Sequence, residues 1–251
     1  MKLLMIGHLL GDFYFQTNKL AEKKRISLRY TFLHSLLYSI IMFVVILLIT
    51  GMYKKYISFI LIIGLSHFVV DGIKNIVYKK ASIEKHKLLL FVIDQIVHII
   101  ILYVINYWYI IRFDDFWNIG ISSNLFERLD LFKIICACLA CGKPSAIIVS
   151  LVFEKIPQTI REAQKSNQEN NGEDKEEEKI KIGSWIGILE REIILILGLL
   201  GEYGAIGFVV AAKSVARHSQ LDNTDFAEKY LIGTLLSTFI ALVCIVICVS
   251  A

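Results

Sequence analysis

Apolar runs of about twenty residues recur along this chain, the length a helix needs to cross the roughly 30 Å hydrocarbon core of a bilayer. Tyr30–Tyr53 carries His34 as its only ionisable group, tyrosines aside, and Tyr56–Val77 and Leu88–Ile111 follow. The first run, Leu3–Thr17, is shorter. A chain of 251 residues that is 56% hydrophobic, with mean hydropathy +0.61, belongs with polytopic membrane proteins rather than soluble domains. The expected fold is an all-α membrane helix bundle of about six or seven transmembrane helices. Their approximate bounds are 3–20, 30–53, 56–80, 87–112, 131–154, 184–216 and 226–250.

Histidine and aspartate interrupt these runs in a regular way. His8/Asp12, His67/Asp71 and Asp94/His98 are each four residues apart, so each pair shares a helix face. Nine aspartates in the chain give any histidine only about a 7% chance of one at i±4, yet three of the four histidines in apolar spans have one. Ionisable groups at membrane depth are expensive and mark ion sites, relays or substrate pathways. Imidazole nitrogen with carboxylate oxygen is the ligand set of zinc, iron or manganese. His8, Asp12, His67, Asp71, Asp94 and His98 are therefore the expected ligands of a divalent metal ion, zinc first, with iron or manganese as alternatives. His34 is a further ligand or proton donor. Lys74, one turn beyond Asp71, and Gln16, two turns beyond His8, are placed to orient a substrate. A structural hydrogen-bond network and a proton or cation pathway are the competing readings of the same groups.

Other features narrow the picture. His8 and Asp12 break the apolar core that a signal peptide would need, and no small-residue cleavage site follows, so the first helix reads as retained. Lys19, Lys23, Lys24, Arg25 and Arg29 crowd one connection, and Lys79, Lys80, Lys85 and Lys87 another. Both belong on the cytoplasmic side of a bacterial inner membrane. The net charge of +4 is spread over helix ends, and this disfavours a nucleic-acid partner. The expected partner is the lipid bilayer, with a lipid or phosphoester as possible substrate. Cys138-x-x-Cys141 has redox or zinc spacing, but its apolar setting favours small buried residues packed between helices.

Residues 1–112 form the expected four-helix unit with the His/Asp centre. An extramembrane connector over 113–130 bears Phe116 and Trp117, and 131–251 holds the C-terminal membrane helices. Within that part 161–182 reads as a disordered cytoplasmic loop, having no periodic apolar face. Gly142-Lys143-Pro144 predicts a kink or break. The stretch 184–216 either crosses once or turns back near Gly201–Gly204 as a re-entrant hairpin. Glu190-Arg191 pairs locally or reaches Lys213, Arg217 or Glu228.

His8-Leu-Leu-Gly-Asp12-Phe-Tyr-Phe-Gln16, His34-Ser35, Ser66-His67-Phe-Val-Val-Asp71 and Asp94-Gln95-Ile-Val-His98 together resemble a bacterial integral membrane family, domain of unknown function 3307, over about residues 1–112. The resemblance implies a membrane bundle and brings no activity with it. Trp185-Ile-Gly-Ile-Leu-Glu190-Arg191, Ala212-Lys213-Ser214 and Leu231-Ile-Gly-Thr-Leu-Leu-Ser237 are similar to a segment often found behind it. A weaker likeness, of ligand type and helical placement only, is to membrane-bound metal-dependent hydrolases. No His-Glu-x-x-His signature is present, which disfavours zinc-protease chemistry. The expected function is metal-dependent hydrolysis of a lipid or phosphoester; the alternative is a transporter or channel using the same groups for proton or cation coupling.

Overall fold

The computed structural model describes residues 1–50, 56–80, 86–113, 131–155 and 173–250. The connector expected from residue 114 to 130 lies outside them. Among the described residues every regular element is helical. The chain divides into two compact units, Met1–Leu139 and Ala140–Ala251.

The first unit opens with α1 (Lys2–Leu9), which continues into a π-helical turn at Leu10–Tyr14 and stops. The expected helix over 3–20 is thus broken. Thr17 caps a separate α2 (Asn18–Ile26), its Oγ1 accepting from the Leu20 amide at 3.3 Å. At about 1.5 Å per residue the Lys2–Tyr14 rod is roughly 20 Å long, too short to cross a bilayer. Three longer helices follow: α3 (Leu28–Thr50), α4 (Ile57–Lys80) and α5 (Lys87–Arg112). The short rod packs on α3 because Gly7 and Gly11 face it. A Cβ at Gly7 would stand 2.6 Å from Met42 Sδ, and one at Gly11 2.7 Å from Tyr38 Cδ2. Leu4, Tyr38, Met42, Phe59, Ile63 and Leu102 make the apolar core, against which Phe132, Ile135 and Leu139 of α6 (Leu131–Cys141) also pack.

In the second unit the expected break at Gly142 is present, with α7 (Lys143–Lys155) beyond it. Pro144 has no amide for the Ala140 carbonyl, and Ser145 Oγ donates to that carbonyl instead at 2.5 Å. Next comes α8 (Glu173–Leu199). Of the loop expected to be disordered over 161–182, residues 173–182 are helical, since their Glu- and Lys-rich sequence is made of strong helix formers that extend the apolar helix; residues 156–172 lie outside the described residues. A single helix over 184–216 is not found. Gly201 sits at φ +79°, Glu202 N–H donates to Leu197 O and Gly201 N–H to Gly198 O. This is a glycine-terminated helix end, in the left-handed conformation that side chains resist. The chain restarts as α9 (Tyr203–Ala216) and ends with α10 (Thr224–Ser250).

Among the described residues five helical stretches are long and apolar enough to cross a membrane: Leu28–Leu48, Ile57–Val77, Lys87–Arg112, Leu131–Glu154 and Phe226–Val249. Side chains are distributed to match. Leu61 and Leu65 are each 65% exposed on α4, whereas His67 and Asp71 of the same helix are 2% exposed. An apolar exterior around a polar interior is the arrangement lipid demands and water would penalise. The protein is a helical membrane bundle.

Candidate metal centre

Seven ionisable side chains that the sequence singled out, His8, Asp12, His34, His67, Asp71, Asp94 and His98, are buried in the first unit. Their helical phase alone would bring each pair to one face, but the bonds that hold them run mostly between helices. The π turn carries Asp12 inward, and His34 of α3 meets it, Nε2 to Oδ1 at 3.1 Å. On α4, His67 Nε2 stands 3.1 Å from His34 Nε2, and Asp71 Oδ2 lies 3.8 Å from the His67 nitrogen and 3.7 Å from the His34 nitrogen. His34 Nε2 thus has three potential donor atoms within 3.7 Å: Asp12 Oδ1, His67 Nε2 and Asp71 Oδ2.

That spacing has a chemical meaning. Metal–ligand bonds of about 2.0–2.1 Å at tetrahedral angles set donor atoms about 3.3–3.4 Å apart, and the four distances just given straddle that value. A ring nitrogen holds either a proton or a lone pair. The single proton between His34 and His67 cannot also serve Asp12, whereas a cation would satisfy all three atoms. Two groups of ligand atoms lie within 4.8 Å of one another: Asp12, His34 and His67, and His67, Asp71 and His98. They share His67, which Tyr38 holds by stacking at 3.9 Å between centroids and 4° between planes.

The sequence reading did not single out Lys24. Among exposed neighbours on α2 it alone is buried, and its Nζ donates to Asp71 Oδ2 at 3.0 Å and to Gln16 Oε1 at 2.8 Å, with Asp12 Oδ1 at 3.7 Å. The Lys24 carbonyl is fixed in turn by Thr31 and Asn75. The one available signal was phase: Lys24 falls four residues after Leu20 on a helix whose start Thr17 sets. Lys74, one turn beyond Asp71, reaches Asp94 on the next helix at 2.6 Å, while Lys24 occupies Asp71. Gln16 bonds Lys24 rather than facing open space.

His8 and Asp94 stand outside both groups of ligand atoms. His8 bonds Tyr38 OH and Gln95 Oε1, each at 3.2 Å, and Gln95 Nε2 donates to Asp12 Oδ2 at 3.0 Å and to Asp94 Oδ2 at 3.2 Å. These two residues brace the carboxylates through Gln95. His98 Nδ1 meets the Asp94 carbonyl at 2.8 Å, leaving its buried Nε2 with no hydrogen-bond partner among the described residues. Cys138 and Cys141 take no part in either group.

Residues 1–125, which contain every one of these groups, match the family described as "Protein of unknown function (DUF3307)". This stretch belongs to that family. No curated protein and no solved structure gives a significant match. Membership in DUF3307 names no activity, so the chemistry has to come from the geometry.

Proposed function

We propose that the first unit is an intramembrane metal centre in which Asp12, His34 and His67 hold one divalent ion, zinc before iron or manganese, with Asp71 and His98 adjoining through His67. The observation that carries this is the gathering of the His34 and His67 nitrogens with an Asp12 oxygen, all within 4.8 Å of one another in a buried polar core. Such an ion would offset the cost of burying two carboxylates. With a coordination position left open it polarises a phosphoryl or carbonyl oxygen and lowers the pKa of bound water. The function this supports best is hydrolysis of a lipid or phosphoester presented from the bilayer, with Lys74 near enough to the centre to serve an anionic group. On the same reading the protein lies in a bacterial inner membrane, with the basic connection 19–29 in the cytoplasm.

Detergent-purified protein, stripped by chelation and reloaded with zinc, is expected to hydrolyse short-chain phospholipid or phosphodiester substrates. His67→Ala is expected to lose that turnover by at least about a hundredfold, as removal of a group acting only in the reaction does. A second reading, proton or cation coupling in a transporter, is favoured by one observation: Lys24 bridges the same carboxylates and is itself a competing internal cation. Flux into liposomes driven by a pH gradient, without ester turnover, would select it.

A further inference from the structure

The Ala140–Ala251 unit carries a second polar site that the metal centre does not use. A cleft of about 680 Å³ opens between α7, α8, α9 and α10, a size typical of small-molecule sites. Its floor is Glu190, Arg191, Thr234 and Ser237, all at least nine-tenths buried. Lys213, Arg217 and Lys229 stand half-buried at its basic side, and Val149, Phe153 and Ile186 belong to its apolar wall. Lys213, Arg217 and Lys229 thus face a single carboxylate, Glu190, whose Oε2 lies 2.5 Å from Lys213 Nζ and whose buried Oε1 has no hydrogen-bond partner among the described residues. Arg217 is held by Gln220 Oε1 at 2.8 Å, a neutral partner. The Thr234 hydroxyl, buried on the cleft floor, has no hydrogen-bond partner there either.

Half-buried Arg217 and Lys229, beside the lysine that Glu190 pairs with, and an unused buried hydroxyl are complementary to an anion with several acceptor oxygens. Depth agrees with this. Phe226 begins one candidate span and Phe153 directly precedes the last residue of another, so the cleft lies where helices leave the apolar layer. Gly183, one turn before Gly187 on the lining face of α8, has nothing within 4 Å of where a Cβ would be, and space is therefore open beside the basic side.

We infer that this cleft binds a phosphate group, its oxygens on Lys229, Arg217 and Thr234, with the apolar wall accepting whatever chain the phosphate carries. The site is independent of the metal centre in the first unit. The test uses the full-length protein in phosphatidylcholine nanodiscs, titrated separately with dihexanoyl phosphatidic acid and with inorganic phosphate. Saturable uptake of about one phosphatidic acid per chain is expected. The double variant Lys229→Gln/Arg217→Gln should weaken it at least about tenfold, since each charge-assisted contact is worth about 1.5–3 kcal/mol. Gly183→Leu, which fills the cleft without a clash, should weaken it comparably in protein that melts like wild type. If inorganic phosphate displaces the lipid, the phosphate alone is recognised; if it does not, the phosphate is read as part of an amphiphile. Uptake that never saturates, or that both variants leave unchanged, overturns the proposal.

Discussion

Replacing Lys24 with methionine is expected to destabilise the metal-free protein by about 3–5 kcal/mol, the cost of removing one partner from a buried ion pair. Among the described residues Lys24 is the only ammonium paired with Asp12 or Asp71, since Lys74 is committed to Asp94 at 2.6 Å. The other close neighbours of these oxygens are the imidazoles of His34 and His67. Methionine keeps the apolar stem of lysine and removes only the charge, so packing on α2 changes little. The same substitution should make zinc binding stronger, because an entering ion no longer competes with the amine. Saturating zinc at a hundred times its Kd would then restore about 2.7 kcal/mol. Unfolding followed in detergent, with and without zinc, checks both halves. A loss of stability that zinc leaves untouched would make Lys24 a structural strut and no rival to a metal.

The second large effect belongs to Arg191→Met. The guanidinium is 2% exposed and spans the break between α6 and α7. Its Nε donates to the Cys141 carbonyl at 2.6 Å, one terminal nitrogen to the Gly142 carbonyl at 3.3 Å and the other to Ser237 Oγ at 3.2 Å. Backbone carbonyls released by a broken helix in lipid have no water to turn to. Removing their donor is expected to cost about 3–5 kcal/mol. Arg191→Lys should recover less than half of it, because a single ammonium cannot reproduce a planar fork reaching three acceptors. Denaturation midpoints of the three proteins in one detergent decide the matter; equal midpoints for Arg191→Met and wild type would show that water or lipid reaches the break.

Much of this architecture was legible in the sequence for physical reasons. Apolar length announces spanning helices, and Pro144 two residues after Gly142 announces a break, since proline has no amide with which to continue the helix. The His/Asp pairs were visible because charge at membrane depth is rare. Their partners were less visible. His67 and Asp71 share a helical face, but the choice of Lys24 rather than Lys74 for Asp71 depends on how α2 packs against α3 and α4. Sequence spacing carries no information about that. The stop at Tyr14 was hidden for a related reason: the apolar run continues through Phe15, and only the π turn and the Thr17 cap end it. Tyr38, an unremarkable residue of an apolar run, proved to support both His8 and His67.

The account rests on a metal ion in the first unit, and elemental analysis of protein purified without chelator measures it most directly. About one zinc per chain is predicted for wild type, with less than about a tenth of that in His67→Ala and Asp12→Asn, because each removes a ligand from a three-donor set. Arg191→Met, altered only in the other unit, should keep its ion. Wild-type protein without stoichiometric metal, or His67→Ala with as much as wild type, would contradict the account.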